Sequence, residues 1–512
     1  MAQLVLDHEA GQNLVRLGGA VGLALLGAAL AAAIAAQNIL LATALLALIG
    51  FVVVFPFPRL AVVIVILFAQ VQYLFTSPYG SLVSYPIFPT AFQWLDEMVL
   101  LALLGNLTLT KLLKGRDRPL EKAPALMPLA LLFGVGVLSA RLNGIPLLTG
   151  LLGQRYVFEM VILYLAIINL DLDERFLRGL IYLLLGIGVF QAAVGILEFA
   201  HKFRLYTAGN HDIVQGTWGG GSANHVGVFF LCLAALVAAR LRRRWYGPTA
   251  ALFGIYLVLL CLTSCRSGIV LAPLVVLFVL REWLKYPKSW IALALGLIFL
   301  TASLAFYYRN TDAEITEDLG VEEFNYQVMG RTSVIPVMSQ VLRNYSRFAA
   351  LGAGPGTYLT AMGGIHGSDM YREVEAMART GQVVAPFITA SYAVVWMEYG
   401  VVGLALFGVV LLCLFMFAWR QEKLVQSLFW KDYFRALQAI IVVYALIGGI
   451  FPLWTHFMTN IYLWLFPAIG VRYVVLQRRM AAQAARAVTQ PEATILQERP
   501  IRRGLGASAV ER

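Results

Sequence analysis

The chain has 512 residues, of which 60% are hydrophobic and 13% are charged, and its mean hydropathy is +0.77. Soluble domains carry about 25% charged residues, so this composition excludes an ordinary soluble protein and indicates a polytopic membrane protein. The formal net charge of +11 does not indicate nucleic acid, because most Lys and Arg lie in short links between apolar runs, where charge sets membrane topology.

Apolar runs follow one another along most of the chain. A helix needs about 20 mostly apolar residues to cross the hydrocarbon layer, and we count about fourteen candidate runs, with twelve as the alternative because two runs are short. The sequence therefore predicts an all-α protein of about 12–14 transmembrane helices. The candidate runs are 17–36, 39–55, 60–75, 92–113, 125–140, 156–170, 177–199, 225–239, 249–264, 267–280, 290–307, 392–418, 436–451 and 457–476.

Basic residues are concentrated in alternate links, such as 111–122, 240–244 and 281–288. Cytoplasmic links carry an excess of Lys and Arg, so these links and both termini are predicted to be cytoplasmic. The longest link on the other side then becomes a large periplasmic loop between the eleventh and twelfth spans. The predicted domains are an N-terminal transmembrane bundle (1–306), the loop (307–391), C-terminal transmembrane helices (392–476) and a disordered cytoplasmic tail (477–512).

Ionisable residues that touch apolar runs are predicted to lie on the outer side. Arg155 and Glu159 are four residues apart, which a structural ion pair explains. Arg266 stands in the middle of LCLTSCRSGIVLAPLVVLF, which we interpret as two short helices that meet at the outer surface. Snorkelling of the side chain to the interface is the structural explanation for such an arginine. The whole pattern predicts a polar outer cavity in which Arg266 binds an anion, and a planar guanidinium suits a lipid diphosphate.

The predicted loop contains two distinctive segments. Residues 329–348 space their apolar side chains at helical intervals, which predicts an amphipathic helix at the membrane surface. Residues 351–358, LGAGPGTY, form a Gly-rich turn without the Gly-Lys-Ser/Thr ending of a nucleotide-binding loop. A purely structural turn and a backbone anion site both remain open for this segment.

Four segments in order resemble the bacterial O-antigen ligase and Wzy-type polysaccharide polymerase superfamily. They are GTWGGGSANHVGVFFL, SCRSG, MGR followed by RNYSRFAALGAGPGTY, and WMEYGVVGL. The resemblance covers roughly residues 216–404, and the large outer loop fits it too. No single segment is specific, so the order of the set carries the resemblance.

The resemblance implies a glycosyltransferase of the GT-C type that uses no metal and no cofactor. It would act at the periplasmic face of the bacterial inner membrane on a glycan linked to undecaprenyl diphosphate. The acceptor would be another glycan or a lipid-linked molecule, and membrane lipid and a chain-length regulator are further expected partners. Arg266 matches the family's Ser-Arg-Gly arginine and would hold the diphosphate.

Two departures from the family pattern leave the proton acceptor open. The family's His-Asn pair aligns with Thr389 and Ala390, and the arginine that often precedes GTFG is absent. His366, His211 and Glu398 are candidates for the lost functions, although a lone loop histidine is more often simply solvated. We predict Arg266, His366 and Glu398 as catalytic residues. The predicted substrate-binding residues are Arg155, Lys202, Arg204, His211, Arg331 and Arg343.

Three other functions compete with a Wzy-type polymerase. An O-antigen ligase would join the glycan to lipid A core, but ligases of the family depend more on the missing His-Asn pair. A flippase or transporter would need inverted repeats and polar residues along a path across the bilayer, whereas no repeat is visible and the polar positions are predicted on one side. A structural subunit of an export complex would tolerate loss of Arg266.

Overall fold

The structure is a computed structural model in which every described element is helical and no described residue belongs to a strand. It describes residues 55–76, 95–113, 120–202, 214–218, 222–241, 247–263, 265–282, 348–358, 390–454 and 456–489, with isolated positions at 41, 45, 48, 51, 285, 301 and 372. The first two predicted spans, the eleventh, the amphipathic helix and most of the large loop lie outside these residues or reach only isolated positions of them.

Eleven α-helices are described, and each overlaps one of the predicted apolar runs. They are α1 (Pro58–Thr76), α2 (Leu95–Leu113), α3 (Leu126–Leu142), α4 (Leu147–Asn169), α5 (Glu174–Lys202), α6 (Ala223–Leu241), α7 (Gly247–Leu262), α8 (Arg266–Val279), α9 (Ser391–Leu424), α10 (Leu428–Ile447) and α11 (Phe457–Thr489). A 3-10 turn, Gly216–Trp218, lies between α5 and α6.

Five of these helices are long and apolar enough to cross a membrane, namely α4, α5, α6, α9 and α11. Shorter apolar helices accompany them, including α3, α7 and part of α8. Leucines on the outside of the bundle, such as Leu147 and Leu197, are largely exposed, as expected for surfaces that hydrocarbon would cover. The described chain is therefore an all-helical protein with the helices of a membrane protein.

Helix α6 occupies the centre of the described bundle. It packs against α7, α8 and α10, and almost all of its residues are buried. Small side chains on α6, among them Ala234, Ala235, Ala238 and Gly227, allow neighbouring helices to approach closely. Helix α11 is similarly enclosed and makes its largest contact with α4.

The ends of the described helices form two groups. At one end, which we call the basic end, Glu422 of α9 accepts hydrogen bonds from Arg281, Arg435 and Gln438 at 2.8, 2.6 and 2.7 Å. Arg435 also pairs with Glu282 at 2.6 Å. At the other end, which we call the site end, α2, α4, α6, α8, α9 and α11 begin.

Arg472 of α11 is a fully buried guanidinium at the basic end. It donates to the carbonyl oxygens of Ile168 and Leu172 at 3.3 and 3.1 Å and to Asp171 at 3.2 Å. These carbonyls belong to the last turn of α4 and the residues after it, where helix carbonyls lack partners and a cation is favourable. The arginine thus ties the ends of two helices together.

Two predicted boundaries were wrong. Helix α4 begins at Leu147 rather than at residue 156, so Arg155 and Glu159 are its ninth and thirteenth residues out of 23, not residues of an outer end. The helix extends on both sides of Arg155 and Glu159 because these charged residues have partners inside the bundle. Helix α11 runs to Thr489, so the tail predicted as disordered after residue 476 begins as helix, held by Arg479 paired with Glu121 at 2.7 Å.

A cavity of about 240 Å³ lies between α1, α2 and α11. Lys111, Asp171 and Arg479 contribute to its walls, so it belongs to the basic end. Its charged residues already form ion pairs there, as with Asp171 and Arg479 at 3.9 Å.

Candidate functional site at the end where α4, α6, α8 and α9 begin

The Gly-rich turn 351–358 is joined to α9 by main-chain hydrogen bonds. Ala353 and Gly354 donate to the carbonyl oxygens of Met397 and Glu398 at 2.8 and 3.0 Å. In return, Val401 and Val402 donate to Ala349 and Ala350 at 3.0 and 3.1 Å. A break in α9 at Gly400 frees these groups from the helix's own ladder, so the turn is built into the helix.

Glycine is required at the break and at the turn for two reasons. Gly400 and Gly352 have φ values of 70° and 78°, which side-chain-bearing residues rarely adopt. A Cβ on Gly352 would lie 2.3 Å from the carbonyl carbon of Glu398, and one on Gly400 would lie 2.2 Å from the carbonyl oxygen of Ala350. The glycines of LGAGPGTY and MEYG therefore face one another across one contact.

Glu398 is buried in this contact. Its side chain is 1% exposed, and its Oε1 accepts a hydrogen bond from the main-chain N–H of Tyr358 at 3.2 Å. Burial, together with the nearby Glu398 carboxylate, raises the pKa of Tyr358 well above its ordinary value, so the phenol is protonated at neutral pH. The structure therefore gives Glu398 a role in holding the turn; its predicted catalytic role stays a prediction.

The prediction of two helices meeting at SCRSG agrees with the structure. Helix α7 ends at Leu262 and α8 begins at Arg266. The Cys265 thiol donates to the carbonyl oxygen of Asn224 at 3.4 Å, and Gly227 leaves room for Cys265 and Thr263 against α6. Arg266 thus begins a helix whose free N–H groups favour an anion, next to the first turn of α6.

Two imidazoles stack beside this junction. His225, in the first turn of α6, lies with its ring centroid 4.1 Å from that of His456, which immediately precedes α11. Nδ1 of His225 is 3.4 Å from the hydroxyl of Thr459. Burial lowers the pKa of His456 to about 4, so this imidazole is neutral at physiological pH. The same burial disfavours the imidazolium form, so His456 in this environment is a weak proton acceptor.

The GTW segment is fastened to α5 by two side chains. Oε2 of Glu198 accepts the main-chain N–H groups of Gln215 and Gly216 at 2.8 and 2.9 Å. The amide oxygen of Gln191 accepts the N–H of Thr217 at 3.0 Å. Because these groups are buried, leaving them unpaired would be costly. Glu198 therefore fixes the first of the four family-like segments.

Replacing Glu198 with alanine should lower the free energy of unfolding by about 3 kcal/mol, because two buried N–H groups lose a charged acceptor. Glu198→Gln keeps one carbonyl oxygen at the same place and should retain most of the stability. Thermal unfolding of the purified protein in detergent measures both. Equal melting temperatures for the two variants would contradict this role.

A second polar group lies deeper, where α2 and α4 meet. Arg155 contacts Glu97 and lies 3.4 Å from Glu159, which agrees with the predicted pair and adds a second acid to it. One oxygen each of Asp96, Glu97 and Glu159 can be chosen so that all three lie within 4.8 Å of one another. Asn460 of α11 donates to the main-chain oxygen of Tyr156 beside them at 3.3 Å. Arg155, predicted to bind substrate, is thus engaged by protein carboxylates.

The remaining predicted site residues fall largely outside the described part of the chain. His366, His211, Arg204, Arg331 and Arg343 lie outside it entirely. Arg266 and Lys202 are described as helix positions only, without their side chains. The structure therefore places Glu398 and the main chain of Arg266 at the site end, places Arg155 deeper along α4, and leaves the other predictions as they stand.

Sequence reasoning missed several buried polar side chains at this end. Gln70 of α1 and Tyr462 of α11 are in hydrogen-bond contact, and Thr217 contacts both Gln191 and the main chain of Gln70. The sequence signal that could have identified them is a side-chain amide or hydroxyl group inside an otherwise apolar run. The pairing of His225 with His456 had no sequence signal, because 231 positions separate them.

No protein-family model matches the chain, and no curated protein matches it. The family resemblance therefore stays a prediction from its four segments.

Proposed function

We propose that the protein is a membrane glycosyltransferase that acts on glycans linked to undecaprenyl diphosphate, with a Wzy-type polymerase as the favoured activity. One observation carries the proposal. The described parts of the four family-like segments, from the GTW turn to MEYGVVG, all lie at the site end although nearly two hundred residues separate the first from the last. Segments that share one reaction have to meet in this way.

The proposal also orients the molecule in the bacterial inner membrane. The basic end carries Lys111, Arg178, Arg281, Arg435 and Arg479, as cytoplasmic links do. The site end then faces the periplasm and both termini face the cytoplasm. Lipid-linked repeat units would reach the site from the outer leaflet.

In the proposed reaction, an acceptor hydroxyl oxygen attacks the anomeric carbon of the donor glycan. The bond from that carbon to the diphosphate oxygen breaks, and its electron pair leaves with undecaprenyl diphosphate. Arg266, at the positive end of α8, would stabilise the charge on the leaving diphosphate. The hydroxyl proton passes to a base, for which His366, His211 and Glu398 are the candidates.

Deletion of the gene, followed by analysis of lipid-linked glycans, tests the proposal. A polymerase defect leaves single repeat units on the lipid, whereas a ligase defect leaves finished chains. The expected result is single units, with long chains restored by the wild-type gene. Unchanged polymer and no accumulating intermediate would exclude both transfer reactions.

The deep carboxylate group favours one alternative from another class. Glu159 lies midway along α4, and ionisable residues at such depth are typical of transporters that move ions or protons. A flippase or transporter would leave repeat units on the inner leaflet when deleted. Accessibility of the accumulated units to a periplasmic glycosidase separates the two, because polymerase substrates are already outside.

A further inference from the structure

Asp96, Glu97 and Glu159 form a buried group of three carboxylates that the proposed reaction does not use. Asp96 is 2% exposed, Glu97 is 9% exposed, and the Glu159 side chain is 10% exposed. Asp96 and Glu97 come from the first turn of α2, and Glu159 comes from the middle of α4. Two packed helices therefore hold the group in place.

Each carboxylate keeps one oxygen unused within the described residues. Arg155 contacts Oε1 of Glu97 and lies 3.4 Å from Oε2 of Glu159. Oδ1 of Asp96, Oε2 of Glu97 and Oε1 of Glu159 are buried and accept no hydrogen bond from the described part of the chain. Buried polar oxygens normally have a partner, and three of them in one place indicate a missing ligand.

The charges of the group do not balance. With all three groups ionised, the carboxylates beside one guanidinium would carry two uncompensated negative charges in a buried position, which costs several kcal/mol per ion. One divalent cation would bring the total to zero. It would also supply the partner that each unused oxygen lacks.

The donor atoms identify the class of cation. All three are carboxylate oxygens, which suit hard cations, and no described cysteine or histidine belongs to the group. Ca²⁺ binds oxygen at about 2.3–2.6 Å, so two ligands on opposite sides of it lie about 5 Å apart. The three oxygens lie within 4.8 Å of one another, inside that separation, so a single ion can contact all of them. Mg²⁺, at about 2.1 Å, would draw the ligands inward.

We infer that Asp96, Glu97 and Glu159 bind one hard divalent cation, with Ca²⁺ as the best fit by size, and that Arg155 shares two of the three carboxylates with it. The site does not depend on the proposed function. It would fasten the start of α2 to the middle of α4 and add to the stability of the site end.

Calcium binding to the full-length protein in detergent tests the inference. After treatment with EDTA and removal of the chelator, titration with Ca²⁺ is followed by calorimetry. One bound ion per chain is expected, and Asp96→Asn and Glu159→Gln should each weaken binding by about tenfold or more. Asp173→Asn, which changes a half-exposed acid at the basic end, should bind as the wild type does.

A second measurement guards against variants that fail to fold. Ligands that bind only the native state raise the melting temperature, so Ca²⁺ should raise that of the wild type. A wild type that shows neither heat of binding nor a thermal shift with Ca²⁺ or Mg²⁺ would overturn the inference. Folded Asp96→Asn and Glu159→Gln variants that bind Ca²⁺ as tightly as the wild type would overturn it as well.

Discussion

Replacing Arg266 with alanine is expected to reduce polymer formation by about 100-fold or more, the usual effect of removing one group that stabilises a developing charge. This large effect is expected from the position of Arg266. Arg266 is the first residue of α8, where its side chain and the free N–H groups of the helix would act on the same diphosphate. The reaction has to place negative charge on that leaving group, so the loss should appear in the rate of chain growth.

Replacing Arg266 with lysine is expected to cause a smaller loss of polymer formation. Arg266→Lys keeps the charge but loses the planar two-point contact with phosphate oxygens, so an intermediate rate is expected. Arg420→Ala removes an exposed arginine at the basic end and should leave the rate unchanged. Chain lengths and lipid-linked intermediates, measured in cells with equal amounts of each protein, give the result. Normal polymer from a folded Arg266→Ala protein would exclude the diphosphate role.

Replacing Gly352 with alanine is expected to destabilise the protein by about 3 kcal/mol or more and to abolish activity. An alanine there would have to keep a φ of 78°, and its Cβ would lie 2.3 Å from the carbonyl carbon of Glu398. Backbone strain of this kind costs about 1–3 kcal/mol, and forcing an extra methyl group into a packed site costs a similar amount. The main-chain bonds between the turn and α9 would have to break to relieve the clash.

Gly134 offers a matched control within α3. A Cβ at this helical position meets nothing within 4 Å, so Gly134→Ala should be neutral or stabilising by up to about 1 kcal/mol. Thermal unfolding of both variants in detergent makes the comparison. If Gly352→Ala melted at the wild-type temperature, the turn would not be held against α9 as described.

Helices were the part of this fold that the sequence predicted best, because a run of apolar residues reports directly on burial in hydrocarbon. The junction between α7 and α8 was found for a related reason: Ser, Arg and Gly interrupt the run at Arg266. The start of α4 was placed too late because Gln154 and Arg155 looked like the edge of a span. That such residues lie inside the bundle becomes clear only from their contacts with side chains on other helices. The sequence does not show which helices are neighbours.

The contacts of the site were predictable only where they are local. Arg155 and Glu159 are four residues apart on one helix, so their pairing follows from helical geometry. Glu97 joins them from another helix, and His225 meets His456 across 231 positions of the chain. Such pairs depend on how helices are arranged, which periodicity within one segment does not encode.

The hydrogen bonds between α4 and α11 have a mechanical consequence. Asn460 joins the two helices near the site, and Arg472 joins them again at the basic end, where it is fully buried. Two helices linked at two separate levels and packed along their length cannot tilt independently of each other. Any rearrangement during a catalytic cycle should therefore move α4 and α11 as one rigid body, with displacement occurring where other helices slide against that pair.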